Sequence, residues 1–500
     1  MTAEDAPFMD AANVTLPGAG DPWHHLFCPR PTVRILFYTD SPVVNFDVNQ
    51  PDFGVGTLRD LVLSHNTFNA TFSIDLINRH DGGHAQHKLT SALLAGYDQV
   101  WFFGVLQCNL PGQPENELTD PEVDALRDWM GPSGRQGGVL ITGDHSNRRP
   151  FGADPGLDPL LNLGRALGRR IPRAGRLRVW EGLPSADFGT PTDTHDTQVP
   201  DGMGTDLNDL TLQDDAFPQH LLLTKYFLGW GLPPWVRRYR PHPLFCGRKG
   251  PIELFPDHMH EGALAFPSSY PASEWPSGPF GQPTPQVVAR GTDKRFAATY
   301  DLVSTYDGWM ASVGRIVADS TWHHYFHVNL RGFGPGPVLD AIADYYVNLA
   351  VWLSPPDKRA QMRCWFWWYA ALHPAVRMVT GAPQAVLGLT AIDVLGRYAS
   401  QCTISELVWP FPLPPQLRER FPWPPEELVI GGVVREYHKA MDAAVAGEPD
   451  LPAQASLVES GLRAAAAEHH SELVRAASAA GELDQVIAGL LREGGPELER

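Results

Sequence analysis

The chain has 500 residues, of which 43% are apolar and 19% charged, with 15 Trp and 23 Phe. That is too long for one hydrophobic core and too apolar for general disorder, so a globular protein of two structural units, or of one heavily decorated domain, is expected. A formal net charge of −18 without a long Lys/Arg cluster works against phosphate backbones and anionic lipid, which leaves a small-molecule ligand as the expected partner, with no nucleic acid and no membrane.

Residues 1 to 30 are polar and aperiodic and read as an arm. Val33-Arg-Ile-Leu-Phe-Tyr-Thr-Asp40 reads as a buried strand ending in a carboxylate, followed by a helix over Gly56 to His65. Thr71 to Ile77 is a second strand, Leu89 to Leu94 a short helix, and Tyr97 to Gly104 a third strand. Thr119-Asp-Pro-Glu122 supplies a cap, a first-turn proline and acidic residues ahead of a helix through Met130. Gly137 to Thr142 is the fourth strand. This alternation predicts a parallel sheet covered on both faces, an α/β fold of flavodoxin-like or Rossmann-like type.

From about 150 to 285 the periodicity gives way to Pro-, Gly-, Asp- and Trp-rich sequence, read as an irregular insertion or lid that carries site residues. Gln286-Val-Val-Ala-Arg and Gly314-Arg-Ile-Val-Ala return as late strands, one of them expected at a sheet edge. Residues 31 to 335 thus form the α/β domain. After Gly332-Phe-Gly-Pro-Gly-Pro337 the patterns turn helical, so 336 to 500 is expected to be an α-helical C-terminal region and the surface for any homo-oligomer.

Five cysteines, Cys28, Cys108, Cys246, Cys364 and Cys402, are odd in number and far apart, and read as reduced, mostly buried thiols. No secretory signal is legible at Met1-Thr-Ala-Glu-Asp-Ala-Pro, and no run approaches the roughly 18 apolar residues of a membrane span. A cytoplasmic location is the expectation.

Three clusters carry chemistry. In Gly143-Asp144-His145-Ser146-Asn147, at a strand-to-helix turn, Asp144 and His145 either serve a site or act locally, as a cap and a carbonyl partner. In Phe255-Pro-Asp257-His258-Met-His260-Glu261, alternation puts His258 and His260 on one side of an extended strand, a spacing suited to Zn, Fe or Mn. In Asp319-Ser-Thr-Trp-His323-His324-Tyr-Phe-His327, His323 and His327 share a face if the segment is helical, whereas His323 and His324 oppose each other if it is extended. The candidate set is therefore Asp144, Asp257 and Glu261 for proton handling, His145, His258, His260 and His323 for a divalent metal, and Asp40, Asn147, Asp319, His324 and His327 for substrate.

The segments Tyr97 to Gly104, Val123 to Met130 and Gly137-Gly-Val-Leu-Ile-Thr-Gly-Asp144-His145 resemble the class I glutamine amidotransferase-like superfamily, most of all its ThuA-like branch. There a glycine-rich strand ends in a histidine-bearing turn in place of the amidotransferase cysteine. The resemblance spans roughly residues 30 to 330 and implies the sheet topology and a site at its carboxyl edge. It does not imply glutaminase activity, because the nucleophile is missing. The leading expectation is a metal-assisted hydrolase or lyase acting on a small polar substrate. The alternatives are a non-catalytic ligand-binding or scaffold protein and, by analogy with the family, a carbohydrate-processing protein.

Overall fold

The computed structural model describes residues 28–39, 54–79, 87–103, 120–142, 181–182, 219–230, 237–256, 264–265, 276–293, 298–319, 323–330, 333–409, 424–447 and 453–493. The chain divides into two compact units, one of Arg30–Met362 with Gly396–Arg420, the other of Met1–Pro29, Arg363–Leu395 and Phe421–Arg500.

In the sheet unit the elements run β1 (Thr32–Thr39), α1 (Gly56–Ser64), β2 (Thr71–Asn78), α2 (Ser91–Leu94), β3 (Gln99–Phe102), α3 (Asp120–Met130), β4 (Gly138–Thr142), β5 (Gln219–Leu223), β6 (Leu254–Phe255), β7 (Gln286–Asp293), β8 (Ala298–Tyr306) and β9 (Ile316–Asp319). There follow α4 (His327–Leu330), α5 (Pro337–Trp352), α6 (Pro356–Leu372), which crosses into the second unit, α7 (Gln384–Gly396) and α8 (Gln401–Val408). The nine strands lie in the order β6-β5-β7-β8-β9-β4-β3-β1-β2.

The sequence reason for the central strands is their content. Ile-Leu-Phe-Tyr in β1, Val-Trp-Phe in β3 and Val-Leu-Ile in β4 are apolar runs, mostly β-branched or aromatic, buried on both faces, which suits strands covered by helices above and below. Side chains alternate accordingly. Leu36, Tyr38, Val100, Phe102, Val139, Ile141, Ile316 and Ala318 join Leu94, Val123, Leu126 and Met130 in one core. On the opposite face Phe37 stacks on Trp101 at 5.2 Å, and Gln99 bonds Ala350 and Ser354 at the end of α5. Gly138 permits that approach, since a Cβ there would lie 2.1 Å from the Leu353 carbonyl oxygen.

The sheet is mixed, where a parallel one was expected. β2, β1, β3, β4 and β9 pair in parallel, whereas β8, β7, β5 and β6 continue antiparallel from β9. Strand β8 is hidden in the sequence because Ala-Thr-Tyr-Asp-Leu-Val-Ser-Thr-Tyr mixes polar and apolar residues. Asp301 is accommodated there by Arg290 on the neighbouring strand at 2.7 Å. The described part of the 150–285 stretch also contributes β5 and β6, so the edges are β6 and β2 rather than a late strand.

The second unit contains α9 (Glu426–Val445) and α10 (Gln454–Glu493), with most of α6 and α7. Its helices meet through glycines: a Cβ on Gly388 would lie 1.7 Å from the Glu427 carbonyl oxygen, and one on Gly461 would lie 2.5 Å from Val433. Gly461→Leu is therefore expected to cost about 3 kcal/mol by overpacking, read as a lower urea midpoint. Gly481→Ala, where nothing lies within 4 Å, should raise stability slightly, and an equal response of the two would contradict this packing. Cys28 and Cys364 form a disulfide with Cα atoms 5.6 Å apart, which corrects the reading of all five cysteines as thiols. Their separation of 336 residues leaves no spacing signal to read.

Candidate functional site

Asp319 ends β9 and pairs in register with Thr142, the last residue of β4. From there the chain enters a short turn, His323–Tyr325, that crosses the carboxyl edge of the parallel strands. Phe103, directly after β3, lies 5.6 Å from Tyr325 and 6.3 Å from Phe326, ring to ring. Farther on, the His327 amide donates to the Gly54 carbonyl at 2.7 Å, and its Nδ1 lies 2.6 Å from Thr57 Oγ1 in the first turn of α1. The segment thus spans the ends of β9, β4 and β3 and reaches the point where strand order reverses between β1 and β3, the usual ligand position in open α/β sheets.

Within this arc Asp319 is 1% exposed and His324 is fully buried. His324 Nδ1 lies 2.8 Å from Asp319 Oδ2, and the same oxygen accepts the Tyr325 hydroxyl at 3.0 Å. Tyr325 in turn meets the Tyr345 hydroxyl of α5 at 3.1 Å, and Tyr346 donates to the His324 carbonyl at 2.5 Å. Burial, with the Asp319 charge adding to it, pushes the Tyr325 and Tyr345 phenols well above their ordinary range, so both stay protonated and Tyr325 remains a donor to Asp319. Nδ1 is the ring nitrogen that faces the Asp319 carboxyl, so Nε2 is turned away from it. Nε2 is buried and has no hydrogen-bond partner among the described residues. Phe255 covers the ring, with centroids 4.4 Å apart, and itself packs on Phe245 and Tyr345.

Of the residues singled out in the sequence, Asp319 and His324 are brought together, and His327 is engaged by Thr57 instead. Asp40, Asp144, His145, Asn147, Asp257, His258, His260 and Glu261 lie outside the described residues, as does the side chain of His323. In sequence, two of these clusters follow Thr142, which pairs with Asp319, and Phe255, whose ring lies against His324. No family model, no curated protein and no solved structure matches this chain. Its chemistry is therefore read from the site. Among the described residues no group of three or more His, Cys, Asp or Glu could hold a metal ion, and no helix is long and apolar enough to cross a membrane.

Tyr345 and Tyr346 were missed in the sequence because they sit inside an apolar helical pattern and read as core. The one available signal is two adjacent hydroxyls in a helix that is otherwise buried, where each needs a partner.

A second polar knot lies where α1 ends. His65 Nε2 is 3.0 Å from Asp344 Oδ1 on α5, and Arg248 reaches both Asp344 oxygens, at 2.9 Å from its backbone amide and 2.9 Å from Nε. Burial works to raise the Asp344 carboxyl, but hydrogen bonds from His65 and Arg248 outweigh it and hold the group below its ordinary value. A depressed carboxylate contributes stability above its unfolded value of about 3.9, and that contribution is lost as pH falls through the folded value. Asp344→Asn should therefore flatten the decline in stability below about pH 4, measured by urea unfolding, and an unchanged decline would contradict the linkage.

Proposed function

We propose that the carboxyl edge of the parallel half-sheet is a working site and that the protein is a hydrolase or lyase for a small polar substrate. Asp319 and His324 form its acid–base pair. One observation carries this reading: a buried imidazole whose Nδ1 is held by a carboxylate and whose Nε2 is bare, the arrangement of a general base with its orienting acid. Asp319 fixes the tautomer, Tyr325 fixes Asp319, and Nε2 takes a proton from substrate or water and returns it to the leaving group. The phenols and Phe255 exclude bulk water, which strengthens each charge interaction inside.

The reading includes a divalent ion, Zn, Fe or Mn, on His145, His258, His260 and His323. Its support is the donor chemistry of those side chains together with the orphaned imidazole nitrogen at the arc they adjoin in sequence. When bound, such an ion lowers the pKa of a coordinated water. A carbohydrate substrate is the weaker alternative, supported by the resemblance of Tyr97 to Gly104, Val123 to Met130 and Gly137 to His145 to the ThuA-like branch. A homo-oligomer is supported by Leu473, Leu483, Val486 and Ile487, which stand exposed on α10.

A second reading, a non-catalytic ligand-binding or scaffold protein, is favoured by one feature. Asp319, His324, Tyr325 and Tyr345 are all buried and bond one another, as a purely structural tie between β9 and α5 would. The two separate in a screen of chromogenic esters, lactones, phosphates and glycosides with the purified chain, with Zn, Fe or Mn added or chelated. The enzyme reading expects turnover that His324→Gln lowers by about 10²- to 10⁴-fold while the circular dichroism stays unchanged. Turnover indifferent to that substitution would overturn it.

A further inference from the structure

Helix α10 runs for 40 residues, but its burial is confined to the first turns. Leu457 and Ala465 are buried, and Gly461 meets Val433 of α9. From Ser471 to Ile487 every residue is exposed. Leu473, Leu483, Val486 and Ile487, with 43% to 58% of their surface in water, lie in that stretch, which a helix meant to stand alone in solvent would fill with polar residues.

The spacing says what kind of surface this is. Leu473, Ala476, Ala480, Leu483 and Ile487 follow one another at intervals of three, four, three and four residues. That 3.5-residue period keeps all five on one straight seam, with Val486 on its flank, and is the period of paired helices rather than of a helix lying on a globular core.

We propose that this seam docks on the same seam of a second copy of the chain, with the two α10 helices antiparallel about a two-fold axis beside Gly481 and Glu482. The inference deepens the homo-oligomer reading given above and rests on it. Side-chain size decides both the occupant and the direction. In the antiparallel pair Ala480 faces the partner's Leu483 and Ala476 faces the partner's Ile487, so each small residue receives a large one, and the two-fold repeats both layers. The surface is thus its own complement. A parallel pair would set Ala476 and Ala480 each against itself and leave two thin layers between the leucines. The seam buries roughly 900 Å² for the pair, below the standard size of specific interfaces, so the dimer should dissociate in the micromolar range.

The test is analytical ultracentrifugation of the full chain between about 1 and 100 μM. The wild type is expected to be dimeric at the upper end. Leu483→Glu with Ile487→Glu should weaken the dimer at least about a hundredfold, whereas Ser478→Glu, on the outer side of the helix, should leave it intact. Direction is read with a short bismaleimide on Ala480→Cys and Leu473→Cys, the links being located by peptide mapping. The two Ala480 positions lie on the order of 10 Å apart in the antiparallel pair and the two Leu473 positions about 25 Å, so only Ala480→Cys should link to itself. These two variants also keep the test should the glutamates cost α10 its helicity by circular dichroism. A wild-type chain that stays monomeric at about 100 μM would overturn the seam and the oligomer together. A dimer that survives both glutamates would overturn the seam while the oligomer stands, and self-linking of Leu473→Cys would overturn the antiparallel pairing.

Discussion

Glu406→Gln is expected to lower the stability of the sheet unit by about 3–5 kcal/mol, among the largest effects of any single substitution in it. Two guanidiniums meet this carboxylate, Arg359 Nη2 at 2.7 Å and Arg315 Nη2 at 3.5 Å, and the arginine side chains are only 3% and 4% exposed. Burial, reinforced by the neighbouring Arg315 charge, already brings Arg359 down to about 10. Burial lowers Arg315 too, but Asp307 at 2.7 Å and Glu406 together outweigh it and leave the group above its ordinary value. The flat faces of both arginines lie on aromatic rings, Arg315 at 4.4 Å from Trp352 and Arg359 at 4.8 Å from Trp309. Removing the Glu406 charge strands Arg359 in an apolar shell. Replacing both partners together, as Glu406→Leu with Arg359→Met, should recover most of the loss, since no buried charge is then left alone. Thermal and urea unfolding of the single and double variants measure this, and equal loss in both would contradict the account.

Asp319→Asn is expected to act twice. The carboxylate accepts from both Tyr325 and His324 in a fully buried setting, so its loss should cost about 2–3 kcal/mol. It also removes the charge that holds the proton on Nδ1. The imidazole is then free to take the other tautomer, with Nε2 carrying a hydrogen and unable to accept one. Turnover should fall by about 10²- to 10⁴-fold with KM little changed, because substrate contacts are not touched. Tyr325→Phe keeps Asp319 and the tautomer, and should lose stability of about 1 kcal/mol with turnover reduced far less. If the two substitutions lower turnover equally, Asp319 has no orienting role.

The parallel half of the sheet was legible because its central strands are continuous apolar runs, the pattern expected of a doubly covered strand. The antiparallel half was not. Strand β8 carries Asp301 and Ser304, and β5 and β6 are short pieces within Pro-rich sequence, so their pairing depends on partners far along the chain. At the site, Asp319 and His324 were singled out by type and by position after a strand. Their coupling was not legible, because spacing left open whether His323 and His327 share a face or His323 and His324 oppose each other, while the short turn His323–Tyr325 brings His324 to Asp319 and leaves His327 to Thr57. The tyrosines of α5 escaped notice for a similar reason. Their helix spacing matches a core face, and only the fold shows that their hydroxyls meet Tyr325 and the His324 carbonyl in the turn after β9.

The most direct test is the protonation state of His324, read by nitrogen-resolved NMR of the imidazole in wild type and Asp319→Asn. Asp319 should hold the neutral ring with its proton on Nδ1 and Nε2 bare, and Asp319→Asn should release it. A wild-type ring with its proton on Nε2, or one that does not change when Asp319 is replaced, would show that Asp319 does not present His324 as a base.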